Sequence, residues 1–117
     1  MARITPTQRT LTELKKRGYL ADIVERFIPV PPHGIRRDFL HFIDIIALDG
    51  ERTIGIQCCG ATGHKEHKRK ILSNPHASTW CKGNRTIELW SWRKVKVKRG
   101  GKQLVWKPRI EEIKVPF

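Results

Sequence analysis

At 117 residues the chain has room for one hydrophobic core and is too short for two. Its 38% hydrophobic and 30% charged residues form a globular mixture rather than a disordered one, and no run approaches the ~20 apolar residues of a membrane span. The 24 Lys and Arg against 11 Asp and Glu give a net charge of +13 and a pI near 10.3. That balance calls for a polyanionic partner, and nucleic acid fits better than an anionic membrane surface or charge kept for solubility.

The opening Met1-Ala2-Arg3-Ile4 lacks the apolar core of a signal peptide. Three cysteines, two of them the adjacent Cys58 and Cys59, do not suggest a disulfide framework. The expectation is an intracellular, cytoplasmic protein with reduced thiols and no membrane partner.

In chain order, Thr5-Pro6-Thr7-Gln8 is a helix start: a Thr cap, Pro at the first helical position and Gln three residues after the cap. Leu11 and Leu14 continue at helical spacing until Lys15-Lys16-Arg17 and Gly18 end the helix. Residues 19–28 predict a first strand, and Pro29, Pro31, Pro32 and Gly34 a wide turn. Residues 38–48 are almost continuously apolar, as in a central strand covered on both faces.

Asp49-Gly50 predicts a tight turn into a partner strand over 52–59, and Gly60-Ala61-Thr62-Gly63 opens a second helix over about 64–72. A basic β-hairpin closes the chain over about 85–115, turning at Arg99-Gly100-Gly101-Lys102, with Pro108 interrupting its second strand. In this hairpin Lys94, Lys96 and Lys98 alternate with Val95 and Val97, so one face is a cationic ridge and the valines are expected to cover the core. The predicted fold is a single α/β domain, residues 1–117, with helices flanking a mixed central sheet in the order α-β-β-β-α-β-β.

A carboxylate inside an apolar strand is costly unless a metal or a cation compensates, which singles out Asp44. On the next strand Gln57 and Cys59 share one face by alternation, with Ile54, Ile56 and Cys58 on the other, so the first face is expected to be polar. An acid beside a carbonyl oxygen can hold Mg²⁺ for phosphodiester cleavage.

A helix, a strand, an Asp-bearing strand (Phe42-Ile43-Asp44-Ile45-Ile46-Ala47-Leu48), a hairpin to Ile54-Gly55-Ile56-Gln57-Cys58-Cys59 and a helix together resemble the core of the PD-(D/E)XK nucleases. The similarity is greatest to small Holliday-junction-resolvase-like and phage-type members. The resemblance implies a restriction-endonuclease-like fold and a metal-dependent endonuclease acting on DNA, a Mg²⁺-dependent deoxyribonuclease of structure-specific or resolvase-like type. It also implies a phage or bacterial context and a homodimer on a junction substrate. Asp44 would ligate Mg²⁺ or Mn²⁺, Gln57 would stand in place of the family's Glu, and Cys59 in place of its Lys.

With one acid intact, metal binding is expected to be weak without substrate. The missing lysine would come from the second helix, from Lys68 in particular, with Lys65 and Lys70 as further candidates. Asp38 offers a possible second acid, and Gln8 falls near the first-helix Glu of junction-resolving members. Arg36, Arg37, Lys65, Lys68, Arg69, Lys94, Lys96, Lys98, Arg99 and Lys102 are the candidate DNA contacts.

Plainer readings stand beside these: Asp44 as a paired structural acid, Gln57 bonded within the sheet, Gln8 as a cap and Cys59 as a core thiol. A zinc site from Cys58, Cys59, His64, His67 and Cys81 is disfavoured, because adjacent strand cysteines face opposite ways and no Cys-x-x-Cys pair is present. The alternative to an enzyme is a nuclease-like fold without cleavage activity that binds nucleic acid or inhibits another protein. A third reading is an RNA-binding β protein using Trp80, Trp90, Trp92 and Trp106, although tryptophans in a small domain usually build the core.

Overall fold

The computed structural model describes residues 3–116. Helix α1 spans Pro6–Lys16 and starts as its sequence dictates: Thr5 Oγ1 accepts from the Gln8 amide at 3.2 Å, and the Gln8 side chain accepts from the Thr5 amide at 3.1 Å. Strand β1 follows at Leu20–Ile23, then a small hairpin of β2 (Arg26–Ile28) and β3 (Ile35–Arg37). Next come β4 (Ile45–Leu48), β5 (Thr53–Gly60), a 3-10 turn over Ala61–Gly63, α2 (His64–Leu72), the single-turn α3 (Ala77–Trp80), β6 (Arg85–Lys96) and β7 (Leu104–Glu112).

Five strands form one mixed sheet in the order β1-β4-β5-β6-β7. The β5–β6 pair is parallel and the others are antiparallel. A parallel neighbour needs a crossover, and here α2 and α3 supply it. The helices therefore cover the sheet on opposite faces. On one, Leu14 of α1 packs with Ile45, Ala47, Ile54, Ile56, Cys58, Trp90 and Trp92. On the other, Ile71 of α2 and Ala77 and Trp80 of α3 pack with Phe42, Ile43, Cys59, Ile87 and Leu89. Period-two alternation along β5 produces this division, Cys58 going to one cluster and Cys59 to the other.

Several expectations are corrected. Residues 19–28 are not one strand: the chain breaks after Ile23, and Arg26–Ile28 pairs with β3 in a separate two-stranded sheet. The apolar run 38–48 becomes strand only from Ile45. Its first half is a tight turn in which Phe39 and Ile43 exchange backbone hydrogen bonds at 2.9 Å, with Leu40 and His41 in the left-handed region at φ 55° and 69°. The element order thus gains a β2–β3 hairpin and a third helix. In addition, β7 runs through Pro108 without interruption, and the valines do not cover the core: Val95 is half-buried and Val97 is 55% exposed. The face of Gln57 and Cys59 is not polar throughout either, since Cys59 joins an apolar cluster there.

One close approach holds the α3 side together. A Cβ on Gly55, in the middle of β5, would stand 2.8 Å from Ile43 Cδ1 and 3.0 Å from the Trp80 indole. The indole is fixed in turn by its Nε1–H, which donates to Thr86 O at 2.7 Å. Gly55→Ala therefore forces a buried tryptophan to move and should cost about 1–3 kcal/mol, the usual range for overpacking. Urea denaturation checks this, and an unchanged midpoint would show that Trp80 has slack.

Candidate metal centre

Asp44 sits immediately before β4, pinned on both sides. Its amide donates to Ile56 O at 2.8 Å and its carbonyl accepts from the Val24 amide at 2.9 Å. The side chain is only 2% exposed. Its Oδ2 accepts two hydrogen bonds, from the Cys58 amide at 2.8 Å and from Gln57 Nε2 at 3.0 Å. The same Gln57 Nε2 reaches Asp38 Oδ2 at 3.5 Å.

The tight turn brings Asp38 there. Six residues of continuous strand would have put it roughly 20 Å from Asp44. With the chain doubled back, Glu25, Asp38 and Asp44 each offer an oxygen, and these lie within 4.8 Å of one another. Arg36 Nη1 donates to Glu25 Oε1 at 3.2 Å from the β2–β3 hairpin.

Burial pushes the Asp44 carboxyl up to about 9, helped by its hydrogen bond with Asp38 and the charges of Asp38 and Glu25, and opposed by the Cys58 amide. Without a cation, then, Asp44 is protonated at neutral pH. Three oxygens of this hardness suit a divalent ion such as Mg²⁺ or Mn²⁺, whose charge would stand in for that proton. His67 lies within electrostatic reach of Asp38 and is held below its ordinary range mainly by burial, with Lys70 adding to the effect. Cys59 is pushed up to about 11 by burial and the Asp44 charge, and burial also raises Cys58, so neither offers a thiolate at neutral pH.

Of the residues singled out from sequence, Asp38, Asp44 and Gln57 meet here. Glu25 joins them although nothing in its sequence surroundings marked it. It lay inside what read as one continuous strand, and only the break after Ile23 turns it toward Asp44. Gln8 is occupied in the α1 cap, and Cys59 is core.

Lys68 faces elsewhere: its Nζ donates to Glu111 Oε2 at 2.6 Å. Glu111 stands in register with Leu89, and Leu89 with Gln57, which places it two strands, roughly 10 Å, from Gln57. Lys70, three residues after His67, is the α2 lysine whose charge acts on the His67 side. Lys65 and Arg69 are exposed, and Arg69 pairs with Glu66. Arg26 and Arg37 oppose each other across β2–β3, and Arg36, Lys94, Lys96, Lys98, Arg99 and Lys102 are exposed.

A second polar chain deserves the same test. His64 Nδ1 shares a hydrogen bond with Ser91 Oγ at 2.7 Å, and Nε2 with Glu111 Oε1 at 2.8 Å. The order Ser-His-Glu suggests nucleophilic hydrolysis, but Ser91 is 1% exposed inside β6 and offers a substrate no approach. The chain ties α2 to β6 and β7 instead. With both His64 nitrogens so engaged and the two adjacent cysteines on opposite faces, the residues considered for zinc do not assemble.

The raised Asp44 carboxyl gives stability a pH dependence. The folded state holds the proton up to about pH 9 and the unfolded chain only to its ordinary value near 3.8, so this contribution is full below about pH 4 and lost as pH rises toward 9. Asp44→Asn keeps an acceptor for the Cys58 amide and removes the titration. In EDTA the parent should therefore lose melting temperature relative to Asp44→Asn between about pH 6 and about pH 9. Thermal melts of both proteins check this, and parallel curves would show that Asp44 is ionised throughout.

No family model matches the chain, and neither the curated proteins nor the solved structures searched contain a match.

Proposed function

We propose that the protein is a metal-dependent DNA endonuclease with a restriction-endonuclease-like fold of PD-(D/E)XK type. The observation that carries this reading is the convergence of Glu25, Asp38 and Asp44 within 4.8 Å, with Asp44 nearly inaccessible to water. The segment order supports it: an acid immediately before β4, its partner Gln57 on the antiparallel neighbour β5, and α2 after β5 and one 3-10 turn.

Glu25, Asp38 and Asp44 would hold Mg²⁺ or Mn²⁺. Such an ion supplies Lewis acidity toward a phosphate oxygen and lowers the pKa of a bound water. Gln57 fixes the Asp44 carboxylate through Nε2, leaving Oε1 as the end of its amide able to face a cation. His67 and Lys70 sit on the α2 side of the acids, where they would meet the phosphate or accept a proton. Arg26, Arg36 and Arg37 on β2–β3 and the lysines of β6 would hold the phosphate backbone to either side.

A DNA-binding protein of the same fold without cleavage activity is the second reading. What favours it is Cys59, a core thiol at the position where the family's lysine stands.

Incubation of linear, flapped and four-way DNA with the protein in Mg²⁺ or Mn²⁺ decides between them. Cleavage should occur, and Asp44→Asn should reduce it by more than the ~10–100-fold typical of losing a group that only orients a ligand, with DNA binding retained. A variant that cuts as fast as the parent removes Asp44 from the reaction. In the same protein, changing Lys94, Lys96 and Lys98 together to Gln should weaken binding to all duplex sequences alike and lower the salt slope of log K by about 0.9 per lost phosphate contact. An unchanged slope would leave those lysines only the role of protecting a strand edge.

A further inference from the structure

The α1 face of the sheet ends in a concavity that the metal-centre reading does not use. It encloses about 650 Å³ and is walled by Arg3 and Arg9, by Trp92 and Lys94 of β6, by Trp106 of β7 and by Gly60 at the end of β5. That volume lies within the ~300–1,000 Å³ of small-molecule sites.

Its chemistry is aromatic and cationic. Trp106 is 38% exposed, unlike the buried Trp80, Trp90 and Trp92. The Arg9 guanidinium carbon lies 4.0 Å from the Trp106 ring centroid and Lys94 Nζ lies 5.3 Å from it. Among the described residues no acid lines the cavity, and Arg3, Arg9 and Lys94 form no salt bridge. Three cations left without counter-ions around an accessible indole suit a ligand that has both a flat π face and a negative charge.

We infer that this cavity binds an unpaired nucleotide of a DNA strand, its base stacked on the Trp106–Arg9 layer and its phosphate held by Arg3 and Lys94. Every base has a π face, so the site is indifferent to sequence, whereas a base within a duplex is already stacked and paired. Gly60 lies three residues beyond Gln57 on β5, about 10 Å along the strand. One DNA strand passing around that sheet end would reach both places. The inference deepens the nuclease reading by naming unpaired DNA as the substrate feature recognised, but the binding itself does not depend on cleavage.

The test is fluorescence anisotropy in EDTA, where no cleavage contributes, with a labelled oligothymidylate and a labelled blunt duplex. Trp106→Ala should weaken oligothymidylate binding between about fivefold and about 150-fold, the equivalent of ~1–3 kcal/mol for one stacked base. Trp106→Phe should retain most of the affinity, and blunt-duplex binding should change less than about twofold, since the phosphate ridge is untouched. Parent-like oligothymidylate binding by Trp106→Ala, or an equal loss on both ligands, overturns the inference. An arm needing no variant uses an abasic strand of the same length with the parent protein, which should bind more weakly than oligothymidylate; equal affinity overturns the inference. Equal binding of the abasic strand and oligothymidylate by a parent protein that cuts in Mg²⁺ would count against this site alone, and selective binding without cutting against the nuclease reading alone.

Discussion

The site depends on one carboxylate kept away from water. Asp44 is enclosed by two strands and receives a backbone amide and a side-chain amide on a single oxygen. Two donors do not repay the cost of burying a charge beside two further acids, and the group keeps its proton instead. With Glu25 and Asp38 within 4.8 Å of it, this is an acid whose proton a divalent cation could replace. Gln57 suits this position better than a fourth acid in one respect: its amide donates to both Asp44 and Asp38 and links them without adding charge.

The turn between Phe39 and Ile43 is the geometric counterpart of that constraint. Two non-glycine residues there adopt the left-handed region, at a cost of order 1–3 kcal/mol each. The bend that results folds Asp38 back over Asp44 and drives Phe42 and Ile43 into the core beneath α3. Burial of those two side chains, worth about 1.5–3 kcal/mol each, offsets the strain, so packing and the gathering of acids are achieved by the same few residues.

The sheet divides the remaining work between its faces. On the α2 side, the hydrogen-bonded chain from Ser91 through His64 to Glu111 and Lys68 fastens the crossover helix to β6 and β7, beside the acids. The hydrogen bond from Lys68, with His64 contributing, lowers the Glu111 carboxyl from its ordinary value, as expected of an ion-paired brace. On the α1 side, the Trp92 indole donates to Thr10 Oγ1 at 2.8 Å and locks α1 to the sheet, bringing Arg9 over Trp106. Both faces therefore present polar or cationic groups at the sheet end where β5 finishes.

What the sequence determined by itself was local. The α1 cap, the start of α2, the two-faced alternation of β5, the Gly-bearing turns and the oddity of an acid in an apolar run all follow from short-range rules that hold whatever the rest of the chain does. Tertiary structure decided which distant groups meet. Glu25 carries no local sign of its role, because an acid near a strand end is ordinary until the chain breaks beside Asp44. Lys68 had the right charge on the right helix, but it points along the sheet to Glu111, 43 residues later in the chain. Trp106 looked like the other tryptophans, yet α1 meets it with the Arg9 guanidinium rather than an apolar side chain and leaves it 38% exposed. Residue type and spacing set what each segment can form; the meeting of segments far apart in sequence sets which carboxylates lose their water and which indole keeps it.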